Sequence, residues 1–114
     1  MAASFETSAQ GASQFQQPIR VATRREYIFE AAKEMAEDMK GWTVDSADEE
    51  ALVIRCTKAG GALGGKSTIT VTVEGSIEVP STTVNMKCVT EGGMLARPKA
   101  TVEGYMKLLF RRVC

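Results

Sequence analysis

The chain has 114 residues, 44% hydrophobic and 25% charged, with a formal net charge of zero. That length is the size of one domain with its own core, and the composition is that of an ordinary globular protein. Balanced charge excludes a global field driving binding to nucleic acid or anionic lipid. The charge is unevenly placed: nine acidic residues face two lysines from Glu26 to Glu50, and nine basic residues face four acidic ones from Ala51 onward. Two solvated faces of opposite sign that attract within the fold account for this; the alternative is a modest basic surface near the C-terminus.

The chemistry available is narrow. The three cysteines, Cys56, Cys88 and Cys114, form no C-x-x-C pair and there is no histidine. An odd count at these spacings argues against a disulfide framework and suggests a reducing compartment. Without histidine, no side chain has an unperturbed pKa near neutrality. The chain is therefore not expected to be an enzyme, and no cofactor or metal is expected. The first residues lack the basic and apolar regions of a secretory signal, no apolar run reaches the length of a membrane span, and Cys114 as last residue excludes a prenylation box. A cytoplasmic location is the resulting expectation.

Residues 1–17 are rich in Ser, Ala, Gln and Gly, with only Met1, Phe5 and Phe15 as large apolar residues. So little burial does not offset the entropy of ordering, which predicts a disordered N-terminal tail, its removal harmless, ahead of a single domain over 18–114. Pro18–Ala22 reads as a short edge strand.

A helix follows. Thr23 and Glu26 match the S/T-x-x-E capping box, and Ile28, Ala31, Ala32, Met35 and Met39 recur at helical spacing. Gly41 sits where a helix ends in the left-handed conformation. Four strand candidates come next. Trp42–Ser46 is short, and Asp48, Glu49 and Glu50 form a charged turn. Leu52, Ile54 and Cys56 then alternate with Val53, Arg55 and Thr57. Ile69, Val71 and Val73 alternate with Thr68, Thr70 and Thr72. Val84, Met86 and Cys88 alternate with Thr83, Asn85 and Lys87. Period-two alternation describes a sheet with one buried and one wetter face. A last helix starts near Pro98, with Val102, Tyr105, Met106, Leu109, Phe110 and Val113 in one apolar stripe.

The predicted fold class is α+β: a two-layer sandwich in which an antiparallel meander of about four strands carries both helices on one face. The Thr-rich face opposite the helices, with Arg55, Thr57, Thr68, Thr70, Thr72, Thr83, Asn85 and Lys87, is the candidate interaction face. It has too few basic and aromatic residues for nucleic acid.

The segment GGALGGKS, Gly60–Ser67, matches the phosphate-loop pattern G-x-x-x-x-G-K-[ST]. That site needs a helix immediately after the lysine, whereas the next residues, Thr-Ile-Thr-Val-Thr-Val, form a strand. The segment reads as a hairpin loop. Cys56 and Cys88 fall on the apolar phase of their strands and read as buried thiols, separated by an intervening strand. Met94 and Leu95 are expected to fold back on the core.

Helix one ending in Gly41-Trp42, the strand Ala51–Cys56, the Gly/Ser loop, the strands Ser67–Val73 and Thr83–Val89 and the closing helix together resemble a group of small uncharacterised bacterial domains. The resemblance covers Ile19–Val113 and implies the same fold but no activity. The stretch Met94–Pro98 departs from the acidic-glycine pattern that such domains carry before the last helix.

The leading expectation is a non-enzymatic binding or assembly module, acting through the outer sheet face or the tail on a protein partner or a second copy. The alternative is a carrier of a small apolar ligand, with a pocket between helices and a curved sheet as in helix-grip folds.

The strand phase is directly testable. Leu109→Ala removes buried methyl groups and should cost about 2–5 kcal/mol, whereas Thr70→Ala on the opposite face should cost at most about 1 kcal/mol in denaturant unfolding. Equal losses would mean that the outer face is covered. Light scattering would then show whether a multimer covers it, and a monomer would mean the register is reversed.

Overall fold

Alternating β-branched and polar residues build the sheet, and two apolar stripes build the helices that cover it. In a computed structural model, described here for residues 2–59, 65–75, 78–92 and 97–113, the elements are β1 (Ala2–Glu6), a 3-10 turn (Gln14–Gln16), β2 (Ile19–Val21), α1 (Arg25–Asp38), β3 (Trp42–Asp48), β4 (Val53–Ala59), β5 (Lys66–Gly75), β6 (Thr82–Glu91) and α2 (Pro98–Val113). The strands form one six-stranded antiparallel sheet in the order β1-β6-β5-β4-β3, with β2 also paired to β6. The α+β class, the meander and the placement of both helices on one face agree with the sequence pattern; β2 is the short edge strand expected at Pro18–Ala22, and β1 adds a strand that was not expected.

The inner face carries the core. Ile54, Cys56, Ile69, Val71, Val84 and Cys88 are fully buried, opposite Val102, Tyr105, Met106 and Leu109 of α2 and Ile28 and Ala32 of α1. Register places Cys56, Ile69, Cys88 and Phe5 in one row across four strands. The two thiols therefore flank Ile69, roughly 10 Å apart at ordinary strand spacing, too far for a disulfide. In β3 the register shifts between Val44 and Ser46. This bulge at Asp45 lets both Val44 and Ala47 face inward, where strict alternation would have placed Ser46.

Local turn chemistry closes the connections. Gly41 has φ +85°, the left-handed conformation its position predicted. The capping box does not form: α1 begins at Arg25, its N-cap Arg24 makes no side-chain cap bond, and the Thr23 carbonyl instead accepts from Thr82 Oγ1 at 2.5 Å. The Glu26 carboxylate, which would have reached back to the Thr23 N–H, accepts from Arg25 Nε at 3.3 Å instead. Asp48 Oδ1 accepts from the amides of Glu50 and Ala51, both at 3.0 Å, turning β3 into β4. Leu52 completes that turn at φ +56° and is buried, with its carbonyl accepting from Val73 N at 2.9 Å.

The N-terminal segment corrects the expectation of a disordered tail. Ala2–Glu6 is an edge strand pairing Ala2 with Glu91 and Phe5 with Cys88. Thr7 then extends the ladder in an unusual way: its N–H donates to Met86 O at 2.9 Å, and Met86 N–H donates back to its hydroxyl at 3.0 Å. Gln16 folds the following loop on itself, its side-chain carbonyl accepting from Ala12 N at 3.0 Å, and its amide nitrogen donates to Glu103 of α2. A Cβ on Gly11 would lie 2.5 Å from Gln16 O, so only glycine fits there. Phe15 meets Phe110 edge to face, centroids 5.9 Å apart. The segment is ordered by ladder and side-chain hydrogen bonds, which a tally of apolar residues does not register.

Deleting residues 1–17 strips β6 of an edge partner and α2 of Phe15 and Gln16. It should cost roughly 2–4 kcal/mol, a fall of about 8 °C or more in Tm by calorimetry. An unchanged Tm would show that the segment does not dock.

Candidate functional site

Two faces of the molecule come into question, and they differ in shape. The outer sheet face gathers the residues expected there. Arg55, Thr57, Thr68, Thr70, Thr72, Thr83, Asn85 and Lys87 all stand on strands β4, β5 and β6 on the side away from the helices, each exposed or half-buried. Arg55, Thr70 and Lys87 occupy one row, and Thr57 pairs with Thr68. Thr57 Oγ1 donates to Asp45 Oδ2 at 2.5 Å, a contact that the β3 bulge creates. This face is brought together as a surface without a cavity among the described pockets.

The second face is a cleft where α2 meets the sheet edge. Its walls are Ser4 and Phe5 of β1, Arg97 ahead of α2, and Pro98, Lys99, Ala100 and Glu103 in the first turns of α2; its volume is about 450 Å³. That lies within the usual range of small-molecule pockets, about 300–1,000 Å³. Phe5 stands opposite the buried Cys88 in the ladder, so its ring lies on the helix side of the sheet. Pro98 suits the first helical position because its missing N–H needs no partner there, and it is buried against the fold. Lys99 Nζ lies 5.6 Å from the centre of the Phe5 ring, a cation–π contact joining strand to helix. Glu103 is held from the far side by the Gln16 amide. Sequence reasoning missed this cleft, because one wall of it, Ser4 and Phe5, comes from the segment read as a tail.

Among the described residues, side chains pack closely under the middle of α2. Tyr105 stacks on Trp42 with centroids 5.3 Å apart and rings 14° from parallel, and its hydroxyl donates to Ala32 O at 2.8 Å. Burial pushes the Tyr105 phenol far above its usual pKa, so it stays protonated and holds that bond. Burial, reinforced by Asp45, pushes the Cys56 thiol up to about 11, so it is not a thiolate at neutral pH. Cys88 is buried too, while Cys114 lies outside the described residues.

The phosphate-loop match is likewise accounted for. Gly60–Gly64 lies outside the described residues, but Lys66 opens strand β5 rather than a helix. Ser67 is buried with its hydroxyl 2.8 Å from that of Thr90, and so faces the core rather than a nucleotide. Met94 and Leu95 also lie outside the described residues. Among the described residues no cluster of three or more His, Cys, Asp or Glu could hold a metal ion, and no helix is long and apolar enough to cross a membrane.

Against this geometry the comparisons align on fold. No protein-family model and no curated protein matches the chain, so the resemblance to small bacterial domains gains nothing from them. Solved structures do match. The chain is similar to Ara h 8.0201, with a TM-score of 0.64 at 13% identity over 99% of this chain and 98% of that one. It is also similar to the Zhui aromatase/cyclase from Streptomyces sp. R1128, with a TM-score of 0.56 at 9% identity over 98% and 86% of the two chains. At such identities the likeness carries the fold alone, a helix-grip arrangement in which an antiparallel sheet holds a closing helix.

Proposed function

We propose that this protein is a carrier of a small apolar ligand, bound where α2 meets β1. The observation that carries the reading is the cleft of about 450 Å³ whose apolar lining is Phe5, Pro98 and Ala100. An apolar floor with a few polar groups at its margin is the usual make-up of a small-molecule site. The fold supports the same reading, since one neighbour of this architecture is an aromatase/cyclase and so acts on a small molecule. The sequence-based alternative thus stands ahead of the assembly module, with its pocket moved from beneath α2 to the start of α2.

The outer face gives a second reading, a contact surface for a protein partner or a second copy. It is favoured by the row of Arg55, Thr70 and Lys87, in which two cations flank a hydroxyl across three strands. The Thr70→Ala comparison above tests the self-association form of it.

Titrating N-phenyl-1-naphthylamine, a neutral dye, should give a saturable, blue-shifted rise in fluorescence. Ala100→Trp, an exposed helical site at the cleft wall, should weaken it at least about tenfold, the loss expected when a bulky ring removes most of an apolar contact area. Equal binding by the variant would sink the proposed location. Ligands extracted from the natively purified protein and re-incubated with it should return with unchanged mass; a changed mass would make the protein an enzyme.

A further inference from the structure

The cleft has an electrical character that its apolar floor does not explain. Arg97 and Lys99 stand at its rim, both exposed. The ion pairs among the described residues are Arg25 with Glu26 and Arg112 with Glu34 and Asp38, so neither rim cation belongs to one. The first turn of α2 contains no acidic residue. Both cations therefore stand beside the positive end of the helix dipole, which disfavours each of them and favours an anion between them. Glu103 is the one carboxylate lining the cleft. It sits a turn further along α2, where the Gln16 amide already engages it. Lys99 lies over Phe5 and so marks the boundary at which apolar floor becomes cationic rim.

Resting on the carrier reading, we propose that the ligand is an acidic amphiphile: a free small molecule whose apolar body covers Phe5, Pro98 and Ala100 and whose carboxylate or comparable anion meets Arg97 and Lys99. Charge complementarity selects this occupant over a neutral one. A neutral body would gain the apolar contact and leave two unpaired cations beside a newly dried surface. An anion relieves their repulsion and accepts hydrogen bonds from the guanidinium and the ammonium. The site discriminates by headgroup charge.

The test uses the full chain loaded with N-phenyl-1-naphthylamine and displaced by decanoate or by decan-1-ol, which share a body and differ in head. Decanoate should displace the dye at about tenfold lower concentration, since each exposed ion pair is worth up to roughly fivefold. In the double variant R97Q/K99Q the ratio of the two displacement constants, each corrected for that variant's own dye affinity, should fall below about threefold; an undiminished ratio overturns the inference. Raising salt from 50 to 500 mM should weaken decanoate alone, as screening requires. Equal displacement by acid and alcohol in the unaltered protein overturns this inference and leaves the carrier reading standing. Absence of binding by both the dye and, in calorimetry, decanoate overturns the two together.

Discussion

Tyr105 is the side chain on which the arrangement depends. It leaves α2, stacks flat on Trp42 of β3 and donates its hydroxyl to the Ala32 carbonyl of α1. One residue therefore ties the closing helix to the far edge strand and to the other helix. The phenol is fully buried, so its hydrogen bond is made without competition from water and its loss would strand a polar group in the core. Leu109, one turn further along, and Met106 beside it continue the same buried stripe onto the inner sheet face. The surface pairs of Arg112 with Glu34 and Asp38 reach between the helices too, but exposed pairs at 3.6 and 3.8 Å add little beside that packing.

This packing decides where a ligand could go. A helix gripped along its middle by Trp42 and Tyr105 is closely packed there, and among the described residues a cleft of about 450 Å³ lies at its N-terminal end, against β1. The edge strand is thus a wall of the site as well as part of the ladder. Its order depends on Thr7, whose hydroxyl substitutes for a backbone carbonyl opposite Met86, and on Gln16, which joins the following loop to Glu103. Site and N-terminal segment stand or fall together: losing the segment would remove Phe5 and with it the cleft.

Much of the layered fold was legible in the sequence. The alternation Ile69-Thr70-Val71-Thr72-Val73 set the strand phase, and the stripe from Val102 to Leu109 set the buried face of α2, because both signals are local and repeat several times. What was missed depends on partners distant in sequence. β1 carries one large apolar residue, Phe5, and its alternation of Ala3, Phe5 and Thr7 with Ser4 and Glu6 was the available signal, too short to weigh against the polar residues that follow. Its stability comes from backbone pairing with Lys87–Glu91, some eighty residues away. The bulge at Asp45 and the positive φ of Leu52 answer to neighbouring strands rather than to local propensity. Thr23 and Glu26 had the spacing of a capping box, but the helix starts one residue later, at Arg25, and the Glu26 carboxylate accepts from Arg25 Nε. The cleft joins Phe5 to Pro98 and Ala100, a juxtaposition that only the folded chain creates.

The central claim is that the interior is occupied and the ligand site lies at the margin. Nuclear Overhauser contacts between bound N-phenyl-1-naphthylamine and protein side chains test it most directly. The account predicts contacts from the dye to the Phe5 ring and the Ala100 methyl, with Trp42, Met86 and Leu109 silent. Contacts to those three core residues would place the ligand beneath α2 and contradict it.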